Sequence, residues 1–321
     1  MDSITRRAFL EKGSTAAAGM FLATRKVRTA SSDARSEPHL SFPVSPRDRI
    51  AVASYPFRAY IESPANRDRD RKLPGMDLTE FAAHVVSKFK VHNIEPHSRH
   101  FSSLGPAYLA RVQEAFQKAG VRAVDIAVSA DDSFYDAERS ARNKAVAFAK
   151  TWVDVGVSIG SPSIRTHIRP AKNSSPNLHR TAESLREVTD YAAQKDVVIN
   201  LENDDLVSED AFFLVKVIEL VDHLYLRALP DFCNSMLTGN AEFNYRAVQA
   251  MFKHAYSICH VKDNEADDRG RLFKIDLKKS FDILRSSGYR GYCSMEFDAP
   301  GEPYGPTLKL IEQSIQYLSS P

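Results

Sequence analysis

Short apolar runs alternate with amphipathic segments from residue 50 onward, and the alternation repeats eight times. Short continuous apolar runs are typical of buried strands, whereas apolar residues three or four positions apart are typical of helices. The predicted strands are 50–55, 92–95, 123–128, 163–167, 197–202, 224–231, 257–261 and 291–296. The predicted helices are 77–88, 106–119, 137–155, 178–194, 209–223, 241–254, 277–287 and 305–318.

Eight β/α units within roughly 270 residues favour a closed barrel over an open sheet. Open doubly wound sheets more often have five or six strands and a glycine-rich turn after the first strand. The sequence contains no Gly-x-Gly-x-x-Gly motif. We therefore predict a single α/β domain, a (β/α)8 TIM barrel, over residues 48–321.

Local signals mark several helix ends. Gly120, Gly156 and Gly288 each follow a helical pattern and are predicted to stop the helix, since glycine readily takes the left-handed conformation found there. Asp77 precedes the first helix as a predicted cap. Trp152, the only tryptophan, falls inside the third helix and is expected in the outer part of the core.

A different pattern precedes the barrel. The pair Arg6-Arg7 stands before a Phe-Leu pair, and a short alanine-rich apolar run follows at 14–23. This layout is typical of a bacterial twin-arginine export signal, and the run is far below the roughly 18 apolar residues that span a bilayer. We predict an export signal over residues 1–30 and a linker rich in Ser, Pro and charge over 31–47.

Export by this route would place the protein in the periplasm or outside the cell, with the twin-arginine export machinery as a partner. The route delivers folded proteins, often with the cofactor already loaded. No clean Ala-x-Ala follows the apolar run, so a signal that stays uncleaved and retains the protein is an alternative.

Composition narrows the classes of partner. Hydrophobic residues make up 43% and charged residues 26% of the chain, which is ordinary for a globular protein. The formal net charge of +2 is spread with no block of like charge, which argues against a nucleic acid or a membrane surface as partner and favours a small polar substrate. The cysteines, Cys233, Cys259 and Cys293, have no framework spacing, and we interpret them as reduced core thiols.

Four predicted strands in the second half end in a side chain that binds metals. Glu202, Asp231, His260 and Glu296 end the fifth to eighth strands, at separations of 29, 29 and 36 residues. Because the carboxyl ends of barrel strands converge on one mouth, these side chains are expected to meet. Three carboxylates and one imidazole suit one divalent ion, Mn²⁺, Mg²⁺ or Co²⁺, with Zn²⁺ less typical. Taken singly, each carboxylate would more simply be a helix cap or an ion-pair partner at the rim.

The motifs around these residues resemble a known family. They are Asn200-Leu-Glu202-Asn, Pro230-Asp231-x-x-Asn234, Cys259-His260-Val-Lys262-Asp263 and Gly288-Tyr-x-Gly291-Tyr-x-x-x-Glu296. Together they are similar to the sugar phosphate isomerase/epimerase family of xylose isomerase-like TIM barrels. That family includes ketose 3-epimerases, hydroxypyruvate isomerases and inosose dehydratases.

The resemblance implies a small carbohydrate substrate and one divalent ion, often Mn²⁺, held by Glu202, Asp231, His260 and Glu296. It also implies that Glu202 and Glu296 double as the catalytic proton-transfer pair. Moving a proton beside a sugar carbonyl requires a base, an acid and an electrophile for the enediolate oxygen, and the two glutamates and the ion would supply all three. The expected activity is a metal-dependent isomerase or epimerase of a ketose or polyol, working through a metal-stabilised enediolate.

Other polar residues near the strand ends are candidates for substrate binding. Lys262 and Asp263 are expected to orient the histidine ligand or to contact substrate oxygens, with a solvated ion pair at the rim as an equally simple alternative. Glu95 and His97 follow the second strand and His167 ends the fourth, so all three would share the same mouth. A single histidine is nevertheless more often structural than functional.

Two positions depart from the ketose 3-epimerase pattern, in which a histidine three residues after the aspartate and an arginine after the histidine strand contact substrate. The first position is Asn234, and Arg269 is a loosely placed candidate for the second. Asparagine hydrogen-bonds a hydroxyl but carries no charge, which leaves room for a substrate other than the usual free ketose. Endonuclease IV, a relative with three zinc ions, is excluded because the additional histidines that it needs are missing.

Two other functions stay open. The same barrel and ion would support a lyase that eliminates a group from a 3-keto-glycoside or dehydrates an inosose. A non-catalytic carbohydrate-binding barrel is the third hypothesis, weakened by the intact ligand set. The sequence leaves open the substrate, the native metal and the oligomeric state, with a homo-oligomer as one option.

Overall fold

The computed structural model describes residues 37–267 and 269–320, where strands and helices alternate as the hydrophobic pattern predicts. The predicted export signal over 1–30 and the first part of the linker lie outside the described residues. The strands are β1 (Ile50–Ala53), β2 (Asn93–Glu95), β3 (Arg122–Ala123), β4 (Ala127–Val128), β5 (Ser163–Thr166), β6 (Val198–Glu202), β7 (Leu226–Leu229), β8 (Ile258–Val261), β9 (Asn264–Ala266), β10 (Leu272–Lys274) and β11 (Tyr292–Met295). The helices are α1 (Leu78–Phe89), α2 (Pro106–Ala119), α3 (Arg139–Ile159), α4 (Leu178–Ala193), α5 (Ala211–Val221), α6 (Ala241–Phe252), α7 (Leu277–Ser286) and α8 (Tyr304–Ser319).

Parallel pairing arranges the barrel strands in two sheets. One has the order β3-β2-β1-β11-β8 and the other the order β4-β5-β6-β7. An isolated bridge between His97 and Ala127 joins the sheets on one side, and a bridge between Asp231 and His260 joins them on the other. The two sheets thereby close into the predicted (β/α)8 barrel, and the third predicted strand is split into β3 and β4 around Asp125.

The barrel strands are buried on both faces, which explains why they read as continuous apolar runs. Every residue of β1, β6, β8 and β11 is buried. The core fills the space between these strands and the surrounding helices, and it includes Phe81 and Val85 of α1. All three cysteines are free and buried, as predicted.

The predicted helix ends are largely confirmed. Asp77 caps α1, since its side chain accepts a hydrogen bond from the Thr79 N–H while the Glu80 carboxylate accepts one from the Asp77 N–H. Gly120 ends α2 with φ +63°. The stop predicted at Gly156 is wrong: this glycine lies inside α3 close to Ile164, and the helix continues for another turn to Gly160 at φ +77°.

Two segments differ from the expected loop and linker. From residue 37 the predicted linker lies on the barrel, where Phe42 packs edge-on against Tyr256 and Tyr292. The antiparallel hairpin of β9 and β10 after β8 was not predicted. None of the helices in the described part of the chain is long and apolar enough to cross a membrane.

Candidate metal centre

The four strand-end residues singled out by the sequence pattern meet at one mouth of the barrel. Glu202 is the last residue of β6, Asp231 follows β7 by two residues, His260 lies in β8 and Glu296 directly follows β11. One ligand atom from each lies within 4.8 Å of the others, and all four residues are buried. Their meeting follows from parallel strands whose carboxyl ends converge.

The imidazole of His260 is held from both sides. Its Nε2 lies 2.8 Å from Glu95 Oε1, while its Nδ1 lies 2.8 Å from Glu202 Oε1 and 3.1 Å from Glu296 Oε2. Burial opposes protonation of the ring, but the surrounding carboxylates raise the pKa of His260 well above its usual value. A Glu95 carboxylate that accepts from Nε2–H fixes the tautomer that leaves Nδ1 to bind an ion.

Asp231 presents one oxygen to the backbone and one to the centre. Its Oδ1 accepts hydrogen bonds from the N–H groups of Cys233 and Asn234, at 2.8 and 2.6 Å. Its Oδ2 is buried and has no hydrogen-bond partner among the described residues, with Lys262 Nζ 3.6 Å away. Burial raises the pKa of Asp231 to about 8, against the opposing charge of Lys262.

Glu202 and Glu296 are the two members of the cluster that also line the adjacent cavity. Glu202 Oε2 lies 3.0 Å from Arg165 Nε, and Glu296 Oε2 lies 3.8 Å from Lys262 Nζ. Burial raises the pKa of both carboxyls, but nearby positive charge, foremost His260, outweighs it and lowers each pKa to about 2. Both side chains are therefore ionised at neutral pH.

The donor set fits one divalent cation. Three carboxylates and one imidazole converge within the span of a single coordination sphere, and the carboxylates are hard ligands of the kind that Mg²⁺ and Mn²⁺ prefer. The buried Asp231 Oδ2 without a hydrogen-bond partner among the described residues is the atom that such an ion would satisfy.

A polar cavity of about 290 Å³ opens beside the cluster. Four of the six predicted substrate-binding residues line it, namely His97, His167, Asn234 and Lys262. The other two, Glu95 and Arg269, are not among its lining residues.

Glu95 and Arg269 therefore differ from the sequence-based prediction. The Glu95 side chain is buried at the end of β2 and turned toward the barrel axis, where it holds His260. Arg269 is exposed in the turn of the β9–β10 hairpin and is not among the residues that line the cavity. Its backbone N–H donates to Asp267 Oδ1 at 3.0 Å.

Lys262 is buried, which excludes the solvated ion pair at the rim. Its Nζ lies 2.6 Å from Glu265 Oε2, on the hairpin strand β9, and also faces Asp231 and Glu296. Burial opposes its charge, but these carboxylates raise the pKa of Lys262 well above its usual value. Asp263 lies outside the cavity lining, with Lys309 Nζ 3.5 Å from its carboxylate.

His167 belongs to a buried chain of side chains that leads to Glu202. Its Nδ1 lies 2.9 Å from Glu209 Oε2, and its Nε2 contacts Arg165 Nη1. Burial and Arg165 oppose protonation of the ring, but Glu209 and Asp204 outweigh them and raise the pKa of His167 above its usual value. Burial raises the pKa of Glu209 to about 7, against the opposing effect of His167.

His97 forms another part of the cavity wall. Its Nε2 lies 3.0 Å from Ser129 Oγ, and its Nδ1 accepts from the Arg99 N–H at 3.3 Å. Burial, followed by the nearby His100, lowers the pKa of His97 well below its usual value. This ring is therefore a neutral hydrogen-bonding group.

Asn234 lies at the start of a 3-10 helix over residues Asn234–Thr238, directly after β7 and Asp231. Its Nδ2 donates to Glu202 Oε1 at 3.2 Å. The amide thereby orients a candidate catalytic carboxylate while it faces the cavity.

Sequence reasoning missed three polar residues of this region. Arg165 and Glu209 form the chain to Glu202 described above, and Asp125 lies beneath the centre, where it accepts from Asn200 Nδ2 at 2.8 Å. Burial, followed by the charge of Glu95, raises the pKa of Asp125 to about 7. An aspartate inside the apolar run 123–128 was a visible signal, whereas Glu209 resembled an ordinary residue at a helix start.

The family model of the xylose isomerase-like TIM barrel matches residues 84–320 of this chain. The match spans seven of the eight barrel helices and all four residues of the cluster. No curated protein matches the chain.

Solved structures of the same fold cover most of the chain. A D-allulose 3-epimerase from Methylomonas sp. has 15% identity and a TM-score of 0.64, over 87% of this chain and 100% of that chain. A 3-keto-D-glucoside 4-epimerase from E. coli has 15% identity and a TM-score of 0.59, over 84% and 98%. A xylose isomerase-like TIM barrel protein from Mycobacterium smegmatis, in complex with magnesium, has 15% identity and a TM-score of 0.62, over 88% and 98%. At these identities the likeness shows the fold.

Proposed function

The chain belongs to the xylose isomerase-like TIM barrel family, and from its candidate metal centre we propose that it is a metal-dependent isomerase or epimerase of a small carbohydrate. The observation that carries the proposal is that two of the four candidate ligands line the cavity and two do not. Glu202 and Glu296 reach the cavity, whereas Asp231 and His260 are fully buried behind them. A reaction with two proton transfers requires a base and an acid, and two carboxyl groups on the substrate side can take these two roles in turn.

The proposed ion is Mn²⁺, with Mg²⁺, Co²⁺ or Zn²⁺ as alternatives, held by Glu202, Asp231, His260 and Glu296. Such an ion would act as the electrophile that draws negative charge from the carbonyl group during deprotonation. The magnesium complex of the Mycobacterium smegmatis barrel supports a divalent ion on this fold.

The protein side chains would carry the protons. One ionised glutamate would take the proton from the carbon beside the carbonyl and become a carboxylic acid. The other would first take up a proton from water in the cavity and then deliver it to the opposite face of that carbon or to its neighbour. Arg165 and Asn234 hold Glu202, while Lys262 stands beside Glu296, so each carboxylate is oriented by its own neighbours. His97, His167 and Lys262 line the cavity as candidates for contacts with substrate hydroxyls.

A lyase is the second candidate function, because β-elimination begins with the same deprotonation and ends with the loss of a substituent instead of reprotonation. Asn234 favours it: the amide is engaged with Glu202 and brings no charge to the position where ketose 3-epimerases carry a histidine. The 3-keto-D-glucoside 4-epimerase among the structural neighbours supports a keto-glycoside as substrate.

Incubation of metal-loaded protein with ketoses and 3-keto-glycosides in deuterated water tests these functions. Deuterium in a recovered or epimerised sugar supports the first, and release of water or of the substituent supports the second. If neither outcome is observed with any compound of the panel, the protein is a carbohydrate-binding barrel without turnover. Glu202→Gln and Glu296→Gln should each abolish the reaction, while Glu183→Gln at an exposed position should leave it unchanged.

A further inference from the structure

A second cavity, of about 370 Å³, lies next to the first on the same side of the barrel. Arg99 and Ser129 line both cavities. A ligand that extends over these two side chains would therefore occupy both spaces at once. The first cavity holds the proposed catalytic carboxylates, so the second is adjacent to the reacting end of a substrate.

The second cavity differs from the first in the chemistry of its walls. Aromatic and aliphatic side chains form half of its lining, and Phe101 and Phe148 pack edge-on against Trp152, with ring centroids 5.3 and 6.3 Å from that of Trp152. Leu104 and Phe148 remain 40% and 37% exposed there. When an apolar group covers exposed apolar side chains at a cavity, water is released from their surface and binding becomes more favourable.

Trp152 supplies the second observation. It lines this cavity and is only 4% exposed, yet its buried Nε1–H has no acceptor among the described residues. Buried indole N–H groups usually find an acceptor, because an unsatisfied buried donor costs free energy. Nε1 itself is covered by protein, so Trp152 meets the cavity through other atoms and serves there as a reporter of what enters.

Arg99 marks the junction of the two cavities. Its guanidinium forms no ion pair or hydrogen bond with the residues that the structure describes. Arginine donates up to five hydrogen bonds and also stacks on aromatic rings. It is therefore suited to the oxygen-rich link between a sugar and a ring-shaped substituent.

We propose that the second cavity is a subsite for an aromatic substituent joined through oxygen to the sugar in the first cavity, which makes the substrate an aryl glycoside or its keto form. The inference rests on the proposed function for the placement of the sugar. The aromatic ring would cover Leu104 and Phe148, and Arg99 would donate a hydrogen bond to the link oxygen.

The single tryptophan makes the test specific to this site. Metal-loaded protein is titrated with phenyl β-D-glucopyranoside while Trp152 emission is recorded. We expect a saturable change in emission and at least tenfold tighter binding than for methyl β-D-glucopyranoside. Equal binding of the phenyl and methyl glycosides would overturn the proposal, and so would tighter binding of cellobiose, which would assign the subsite to a second sugar.

Variants separate the subsite from general surface effects. Leu104→Ala and Phe148→Ala should each weaken binding of the phenyl glycoside threefold or more. Leu308→Ala, at a residue 42% exposed on α8 and outside the cavity, is the matched control and should leave binding unchanged. Equal affinity in all three variants would contradict the subsite.

The deuterium-exchange assay distinguishes this inference from the proposed function. Exchange into free ketoses without binding of the phenyl glycoside would overturn the subsite and leave the function standing. Trp152-dependent binding without exchange in any sugar would support the subsite and contradict the function.

Discussion

The Glu95 carboxylate lies 2.8 Å from Nε2 of His260, on the side of the ring opposite to the candidate ligand atoms. Both side chains are fully buried, so the contact is sheltered from water. A carboxylate in this position fixes the ring and its tautomer and makes the other nitrogen a better donor to a metal.

Glu95→Gln should therefore weaken binding of Mn²⁺ by about tenfold to a hundredfold, because the amide no longer supplies the negative charge that holds the ring. Competition with a chelator measures the affinity, and the visible spectrum of the Co²⁺ form reports ligand orientation. The exposed Glu183→Gln serves as control. An unchanged affinity together with an unchanged Co²⁺ spectrum would show that Glu95 is only a packing residue.

Removal of the metal should lower stability. An ion present at a hundred times its dissociation constant adds about 2.7 kcal/mol to the free energy of unfolding, which a chelator would abolish. Thermal melts with and without chelator measure the difference. Asp231→Asn should make the melt insensitive to metal because the buried Oδ2 is part of the cluster, whereas the exposed Asp190→Asn should preserve the shift.

The Asp77 cap should make part of the stability depend on pH. Burial alone would raise the pKa of Asp77, but hydrogen bonds from Ser102, Thr79 and Tyr108 lower it below its usual value. Because the folded pKa is the lower one, the contribution is complete above the unfolded value near pH 4 and is lost as pH falls through the folded pKa.

Asp77→Ala should accordingly cost about 1 kcal/mol at pH 7. The difference from the parent protein should shrink below pH 4. Urea unfolding at pH 7, 5 and 3 measures it, and Asp77→Asn separates the capping geometry from the charge. A difference that stays constant across this range would contradict the role of the ionised carboxylate.

The twin-arginine pair predicts that the protein is exported, and cell fractionation tests this prediction. Replacement of both Arg6 and Arg7 by Lys keeps the charge but should leave the protein in the cytoplasm, as cell fractionation would show. Arg25→Lys, beyond the apolar run, is the control. Equal export of the parent and the double variant would contradict the predicted signal.

The sequence predicted the barrel and the meeting of the four candidate ligands because both depend on a repeated local pattern. A buried parallel strand reads as an apolar run, so a charged residue at its end is conspicuous, as at Glu202 and Glu296. Asp231 lies two residues beyond its strand, yet the converging geometry still brings it to the same point.

Side-chain contacts between distant segments of the barrel could not be predicted from local sequence patterns. Glu95 is far from His260 in sequence, and nothing in its own segment distinguishes a residue that faces substrate from one that orients a ligand. Glu209 precedes a helix whose cap is Asp210, so its turn toward His167 depends on tertiary packing. Arg269 lies in the turn of a hairpin after β8 that the sequence pattern did not predict.

The division of the barrel into two sheets affects the stage of protein synthesis at which the candidate metal centre can form. Glu202 and Asp231 belong to the sheet that ends at β7, whereas His260 and Glu296 belong to the other sheet, which also contains β1. Contacts between residues so distant along the chain form late in folding. A chain still on the ribosome and not yet translated past Glu296 has no complete ligand set. Metal loading would therefore follow translation and would mark a molecule whose barrel has closed.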